Sequence, residues 1–260
     1  MDRTPRRPAA GPTPPPGRPR FRDPSPRRSL ALFRAFLREQ QDPESCYRLL
    51  ARDAADQLEA YGGPLAGRVV VDIGGGPGWF TREFRARGAE AYLFEPDAAE
   101  LGNAPGPGAV LADGYLLPLA DGCADISFSS NVLEHVADPA TFLSEQVRVT
   151  RPGGLIYVSF TNWYSPWGGH EWAPWHYLGA DRARARYQRR TGRPAKHRLG
   201  ENLFAVHVGA TLRQVRARDD VEILAARSRY APFLAGAIPR IPLLREVITW
   251  NLLLILRRCA

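Results

Sequence analysis

The chain has 260 residues, a formal net charge of +8 and 44% apolar side chains. That length and composition suit one generous domain with a buried core, and exclude a disordered chain, a collagen-like repeat and a disulfide-stapled mini-protein. Cys46, Cys123 and Cys259 lie far apart, in neither a zinc spacing nor a disulfide framework, so a reduced, cytoplasmic protein is expected.

Residues 1–28 contain nine Pro and eight Arg. They cannot bury enough surface to offset ordering entropy, and a disordered tail is predicted. The tail has no apolar core of a secretory signal, and no run anywhere reaches the roughly 18 apolar residues of a membrane span. Two helices follow within 29–64. Ser29 is the expected cap of the first, with Leu30, Leu32, Phe33, Phe36 and Leu37 on its apolar face. The second is predicted from Pro43 to Tyr61, stopped by Gly62-Gly63-Pro64.

Strands then alternate with helices over 65–160. Strands are predicted at 68–73, 90–95, 109–112, 124–129 and 155–160, with helices near 79–87 and 139–150. This rhythm argues for a parallel sheet covered on both faces. It breaks at 161–200, a stretch rich in Trp, Gly, His and Arg, which reads as an irregular lid. In 201–260 a helix near 205–217 and a strand near 221–229 are expected. The apolar run 249–256 fits a last strand or a short helix.

The strongest chemical signal is Val71-Asp72-Ile73-Gly74-Gly75-Gly76-Pro77-Gly78. Glycines at 74, 76 and 78 permit a tight turn that lets a ligand approach bare backbone, and free N–H groups of the next helix point to the same place. A dinucleotide fingerprint would need G-x-G-x-x-G, but Trp79 stands where the third glycine belongs. An Asp before the turn repels a pyrophosphate and welcomes an ammonium or sulfonium, so S-adenosylmethionine is favoured over NAD. Glu95 closes the second strand and can accept both hydroxyls of a ribose. Asp113, followed by Gly114, stands after the third strand and can accept an adenine amine. Asn131 ends the fourth strand, within reach of cofactor or substrate.

These segments, with Leu93-Phe94-Glu95-Pro96, the run Asp125 to Val136 containing Leu133-Glu134-His135-Val136, and Arg151-Pro152-Gly153-Gly154-Leu155, resemble class I S-adenosylmethionine-dependent methyltransferases. The likeness is to the small-molecule branch with Leu-Glu-His-Val after strand four. The resemblance covers about 90 residues. It implies an α/β fold, a doubly wound, seven-stranded, mostly parallel sheet with an antiparallel last strand and helices on both faces. It implies the cofactor roles of Gly74, Gly76, Gly78, Glu95 and Asp113. The segment 161–200 lies outside it.

Residues 162–177 hold four of the six Trp with His170, Glu171 and His176. Aromatics offer flat apolar walls, and His and Glu offer proton acceptors. His170, preceded by two glycines that let the chain turn, is the first candidate base, and His135 the second. His170-Glu171 with His176 gives H-E-x4-H, which is not a zinc-protease spacing, and Pro174 interrupts the helix that motif needs. No metal ligand set is assigned; a looser site involving Glu134 or His135 stays open.

The expected activity is methyl transfer to an oxygen of a small molecule, lipid or glycan. An RNA methyltransferase would use the tail and the basic segment 181–200, which holds seven Arg and one Lys. A non-catalytic adenosyl-binding protein is the third reading. The apolar string from Pro232 to Leu256 serves as core or dimer surface. Alternatively, with the basic segments, it makes a peripheral contact at the inner face of an anionic membrane. Oligomeric state is not legible.

Overall fold

The computed structural model describes residues 26–38, 41–102, 106–231 and 233–260. The expected tail therefore lies outside the described residues, apart from its last three. Those three belong to the first helix, α1 (Pro26–Leu37). Ser29 is thus not a cap. It lies buried inside the helix, and Arg28 pairs with the buried Asp53. Proline at the first helical position needs no N–H partner, which suits Pro26 to start the helix.

Helix α2 (Pro43–Gly62) is capped by Asp42, whose side chain accepts from Ser45 N. The sheet strands are β1 (Val69–Ile73), β2 (Glu90–Glu95), β3 (Ala109–Leu111), β4 (Ala124–Ser130), β5 (Thr150–Thr161), β6 (Val221–Ser228) and β7 (Asn251–Arg258). Between them stand α3 (Trp79–Ala86), α4 (Ala98–Leu101), α5 (Pro139–Val149), α6 (Ala180–Thr191), α7 (Val208–Arg216) and α8 (Leu244–Ile248). The strand order is β3-β2-β1-β4-β5-β7-β6, and β7 runs antiparallel to both neighbours. The run at 249–256 is therefore a strand. It lies between two others, which satisfies its backbone on both sides.

The strands read as unbroken apolar runs because both faces of the sheet are covered. In β7, Leu252, Leu254 and Leu256 join one core with Phe142 and Leu212. Leu253 and Ile255 join the opposite core with Leu58 and Phe84. The period of two along a strand divides one string of leucines between two layers. Strand β5 starts five residues earlier than expected. Thr150 pairs with Ala124, and the register then jumps so that Leu155 pairs with Ile126, leaving Pro152-Gly153-Gly154 as an irregularity within the strand.

All parallel strands end at one edge, where open α/β sheets bind ligands. The β1 end is fixed from below by Asp72, 1% exposed. Its Oδ2 accepts from Thr81 Oγ1 of α3 at 2.6 Å, while Oδ1 has no partner among the described residues. Burial pushes this carboxyl up to about 7, against the opposing hydrogen bond from Thr81. A raised carboxyl pKa means that the folded state holds the proton more tightly than the unfolded chain. Its contribution is fully present below the unfolded value near 3.8 and is lost as pH rises toward 7. Asp72→Asn should remove that slope. Without ligand it should be more stable than the parent at pH 8 by roughly 1–3 kcal/mol and nearly equal at pH 4, in denaturant titrations at the two pH values.

Candidate active site

A cavity of about 620 Å³ opens at the strand ends between β1, β2, β3 and β4. Ile73, Leu111, Val132 and Phe142 supply apolar wall, and Glu95, Asp113 and Asn131 supply polar groups. Gly74 is required twice over. Its φ is +70, and a Cβ there would lie 2.7 Å from Val132 Cγ2. Glu95 is buried at the end of β2, where Oε2 accepts from Gly76 N at 2.8 Å and Oε1 from Asp97 N at 3.0 Å. The carboxylate thus clamps the glycine turn to the second strand. Asp113 Oδ1 accepts from Tyr115 N at 2.9 Å.

Of the sequence-predicted cofactor residues, Gly74, Glu95, Asp113, Gly114 and Asn131 line this cavity. Gly76 is tied to it through Glu95. Gly78 caps α3 in the left-handed conformation. Asp72 does not line the cavity, because its side chain lies under the turn, close to Gly75. Tyr115, Val132 and Phe142 also line it; nothing in their spacing marks them as wall residues.

The insertion after β5 is not irregular throughout. Short 3-10 turns at His170–Trp172 and Trp175–Leu178 lead into the arginine-rich α6. Trp172, Ala183 and Leu203 form a small core of its own. Gly168 is needed for close approach, since a Cβ would strike Trp163 O at 2.0 Å. This passage delivers His170, in the left-handed region at φ +50, to His135. Their Nε2 atoms stand 3.2 Å apart. His197, from the loop after α6, joins them with ring centroids 5.2 Å from His135 and 4.5 Å from His170. Burial, together with the two neighbouring histidines, pushes His170 down to about 3.

The four candidate catalytic residues therefore separate. His170 and His135 meet each other, and His135 lines the cofactor cavity. Glu171 turns away to His197: Oε2 accepts from Nδ1 at 2.5 Å and Oε1 from the backbone N at 2.8 Å. Burial works to raise the Glu171 carboxyl, but these bonds from His197 outweigh it and hold it at about 2. His176 lies apart, buried, with Nε2 at 3.0 Å from Trp163 O. It does not join the other three, and its Nδ1 has no partner among the described residues. His197 was hidden in sequence among arginines, where it reads as part of a basic face.

Residues 71–158 match a family model described as a methyltransferase domain. An uncharacterised methyltransferase of Mycobacterium ulcerans is 46% identical over 240 residues, covering 88% of this chain and 93% of its own length. One from Mycobacteroides abscessus is 44% identical over 245 residues, covering 89% and 94%. Among solved structures, an S-adenosylmethionine-dependent methyltransferase from Mesorhizobium loti superposes with a TM-score of 0.51 at 22% identity, covering 80% of this chain and 100% of that one. A SAM-dependent methyltransferase from Aquifex aeolicus gives 0.52 at 11% identity, covering 86% and 98%. The glycine turn, the strand order and these likenesses agree, and the chain belongs to the class I, Rossmann-like, S-adenosylmethionine-dependent methyltransferases.

Proposed function

We propose that this methyltransferase acts on an oxygen of a small acceptor with an apolar, lipid-like body. The observation that carries this reading is a second cavity, of about 420 Å³, at the same sheet edge beside β6 and β7. Leu30, Phe33, Tyr230, Ile248 and Trp250 are among its lining residues. Phe233, one of its lining residues, is 68% exposed, and Leu234 and Leu243 in the same C-terminal stretch are 74% and 83% exposed. Such a patch on a soluble face marks an interaction site more often than chance. It supports peripheral contact with a membrane surface. Among the described residues no helix is long and apolar enough to cross one.

The first cavity fits the cofactor. Its volume is in the usual range of about 300–1,000 Å³ for small-molecule sites, and its few polar groups converge from consecutive strand ends. S-adenosylmethionine supplies an electrophilic methyl group when bound. In this reading Glu95 accepts the ribose hydroxyls, Asp113 accepts the adenine amine, and the backbone at Gly74 and Asn131 carries the amino-acid end. Asp72 and Gly78 position the turn. His135 and His170 face the acceptor, the pair accepting the proton its hydroxyl gives up. The RNA reading rests on the arginines of α6. One of them, Arg186, stacks over Trp175 at 4.0 Å, and an RNA substrate leaves the apolar cavity without a use.

Three outcomes test the assignment. With labelled S-adenosylmethionine and a cell extract, label should enter the lipid fraction; label in RNA, protein or polar glycans overturns the acceptor class. In calorimetry, Glu95→Ala should weaken cofactor binding by about 1.5–3 kcal/mol, the range for hydrogen bonds to a charged group. His170→Ala should lower turnover by about 10²–10⁴-fold while cofactor affinity stays within twofold.

A further inference from the structure

One nitrogen from each of His135, His170 and His197 lies within 4.8 Å of the other two. The three rings come from separate parts of the chain: the turn after β4, the first 3-10 turn of the insertion, and the loop after α6. None is fully buried, so the cluster is open to solution or ligand.

The second nitrogen of each ring is already occupied by an acceptor. His135 Nδ1 is 2.8 Å from Asn202 O, His170 Nδ1 is 3.4 Å from Gly168 O, and His197 Nδ1 meets the Glu171 carboxylate. Carbonyl and carboxylate oxygens only accept, so each Nδ1 carries the hydrogen. A neutral ring then presents a bare lone pair at Nε2. Two such lone pairs facing each other at 3.2 Å repel unless a cation lies between them, either a shared proton or a metal ion. An imidazole whose far N–H is held by a carbonyl or carboxylate is also the usual second layer of a metal site. There it fixes the tautomer and the ring orientation.

We propose that His135, His170 and His197 form a three-histidine site for a divalent transition-metal ion of the zinc type, beside the cofactor cavity, with Asn202, Gly168 and Glu171 orienting the rings. Tetrahedral zinc with bonds of about 2.0–2.1 Å to nitrogen puts its ligands about 3.3 Å apart. The His135–His170 separation already has that value, and the third ring has about 1.5 Å or less to close. Three imidazoles suit zinc, nickel, cobalt or iron and do not suit magnesium or calcium, which take oxygen ligands. Three protein ligands leave a fourth position for water or an acceptor hydroxyl, and an oxygen held there gives up its proton more easily. In the metal-loaded protein the rings would be ligands and the proton of the held hydroxyl would pass to bulk water; in the metal-free protein the rings are the acceptors of the reading above. Loss of His170 slows turnover under either arrangement. The site is therefore tested by binding, which does not depend on the acceptor or on any methyl transfer.

The experiment titrates ZnCl₂ into tag-free, chelator-stripped protein by calorimetry, with MgCl₂ as control, and records the visible spectrum after CoCl₂ addition. A single equivalent of zinc at micromolar affinity or tighter is expected, with no magnesium binding and the intense visible bands of four-coordinate cobalt. Glu171→Gln should weaken zinc binding by about 10–100-fold, the usual effect of losing an orienting partner. His197→Ala should abolish the cobalt bands while cofactor affinity is retained, which shows that the variant is folded. Absence of zinc binding by the parent protein overturns the site in favour of a shared proton. So does zinc binding that His197→Ala and Glu171→Gln both leave unchanged, and so does a cobalt spectrum of six-coordinate type.

Discussion

The insertion after β5 leaves and rejoins the sheet at one buried residue, Glu134. Glu134, 1% exposed, follows β4. Its Oε1 accepts from Thr161 N at 2.9 Å, where the chain leaves the sheet. Its backbone oxygen accepts from Phe204 N at 2.7 Å, where the chain returns. Glu134 thus ties both ends of the excursion, and Trp163 N, donating to Val206 O at 2.9 Å, ties them to each other. Closure entropy grows only slowly with loop length, so a long insertion is tolerated once its two ends are pinned. Burial pushes the Glu134 carboxyl up, with His135 and the Thr161 N–H acting the other way. Pinning at residue 134 also fixes residue 135, and the insertion brings Asn202 and His170 to that histidine.

The pinned ends do not by themselves hold the middle. Trp172 supplies a private core, and its Nε1 donates to His197 O at 3.3 Å. Trp167 then packs on Phe36 at 4.8 Å and on Trp250 at 5.0 Å, which joins the insertion to α1 and to the start of β7. Aromatic pairs of this kind contribute about 0.5–1.5 kcal/mol beyond the area they bury. The N-terminal helix is consequently part of the scaffold for the histidines, although it contributes none of the cofactor cavity's lining residues.

The sheet was legible because its signal is local and repetitive: apolar runs, each followed by a glycine turn or a helix. The paired acids were legible because each ends a strand. What escaped the sequence did so for physical reasons. Helix α6 is polar nearly all round, and Ala183 is its one buried residue, so no apolar period announces it. The start of α1 was obscured because Pro26 and its arginines share the composition of the tail. The histidine cluster joins residues 135, 170 and 197, and no motif spacing links positions that only the folded insertion brings together. The separation of His176 from the cluster was equally hidden: its Nε2 meets the backbone carbonyl of Trp163, a contact no spacing announces.

The two cavities at the sheet edge are separated by a polar seam. Asn131 lines the cofactor cavity, and its φ of +58 is a left-handed conformation that asparagine tolerates better than most residues. That turn aims its Oδ1 at Asn251 Nδ2, 2.8 Å away. Asn251 directly follows Trp250, which lines the apolar cavity. Asn251 Oδ1, buried, has no donor among the described residues. An unmet buried acceptor costs about 1–3 kcal/mol, and proteins retain such groups where something else supplies the donor. The seam thus keeps one acceptor, unmet among the described residues, between the two cavities, joined to the first through Asn131 and to the second through Trp250.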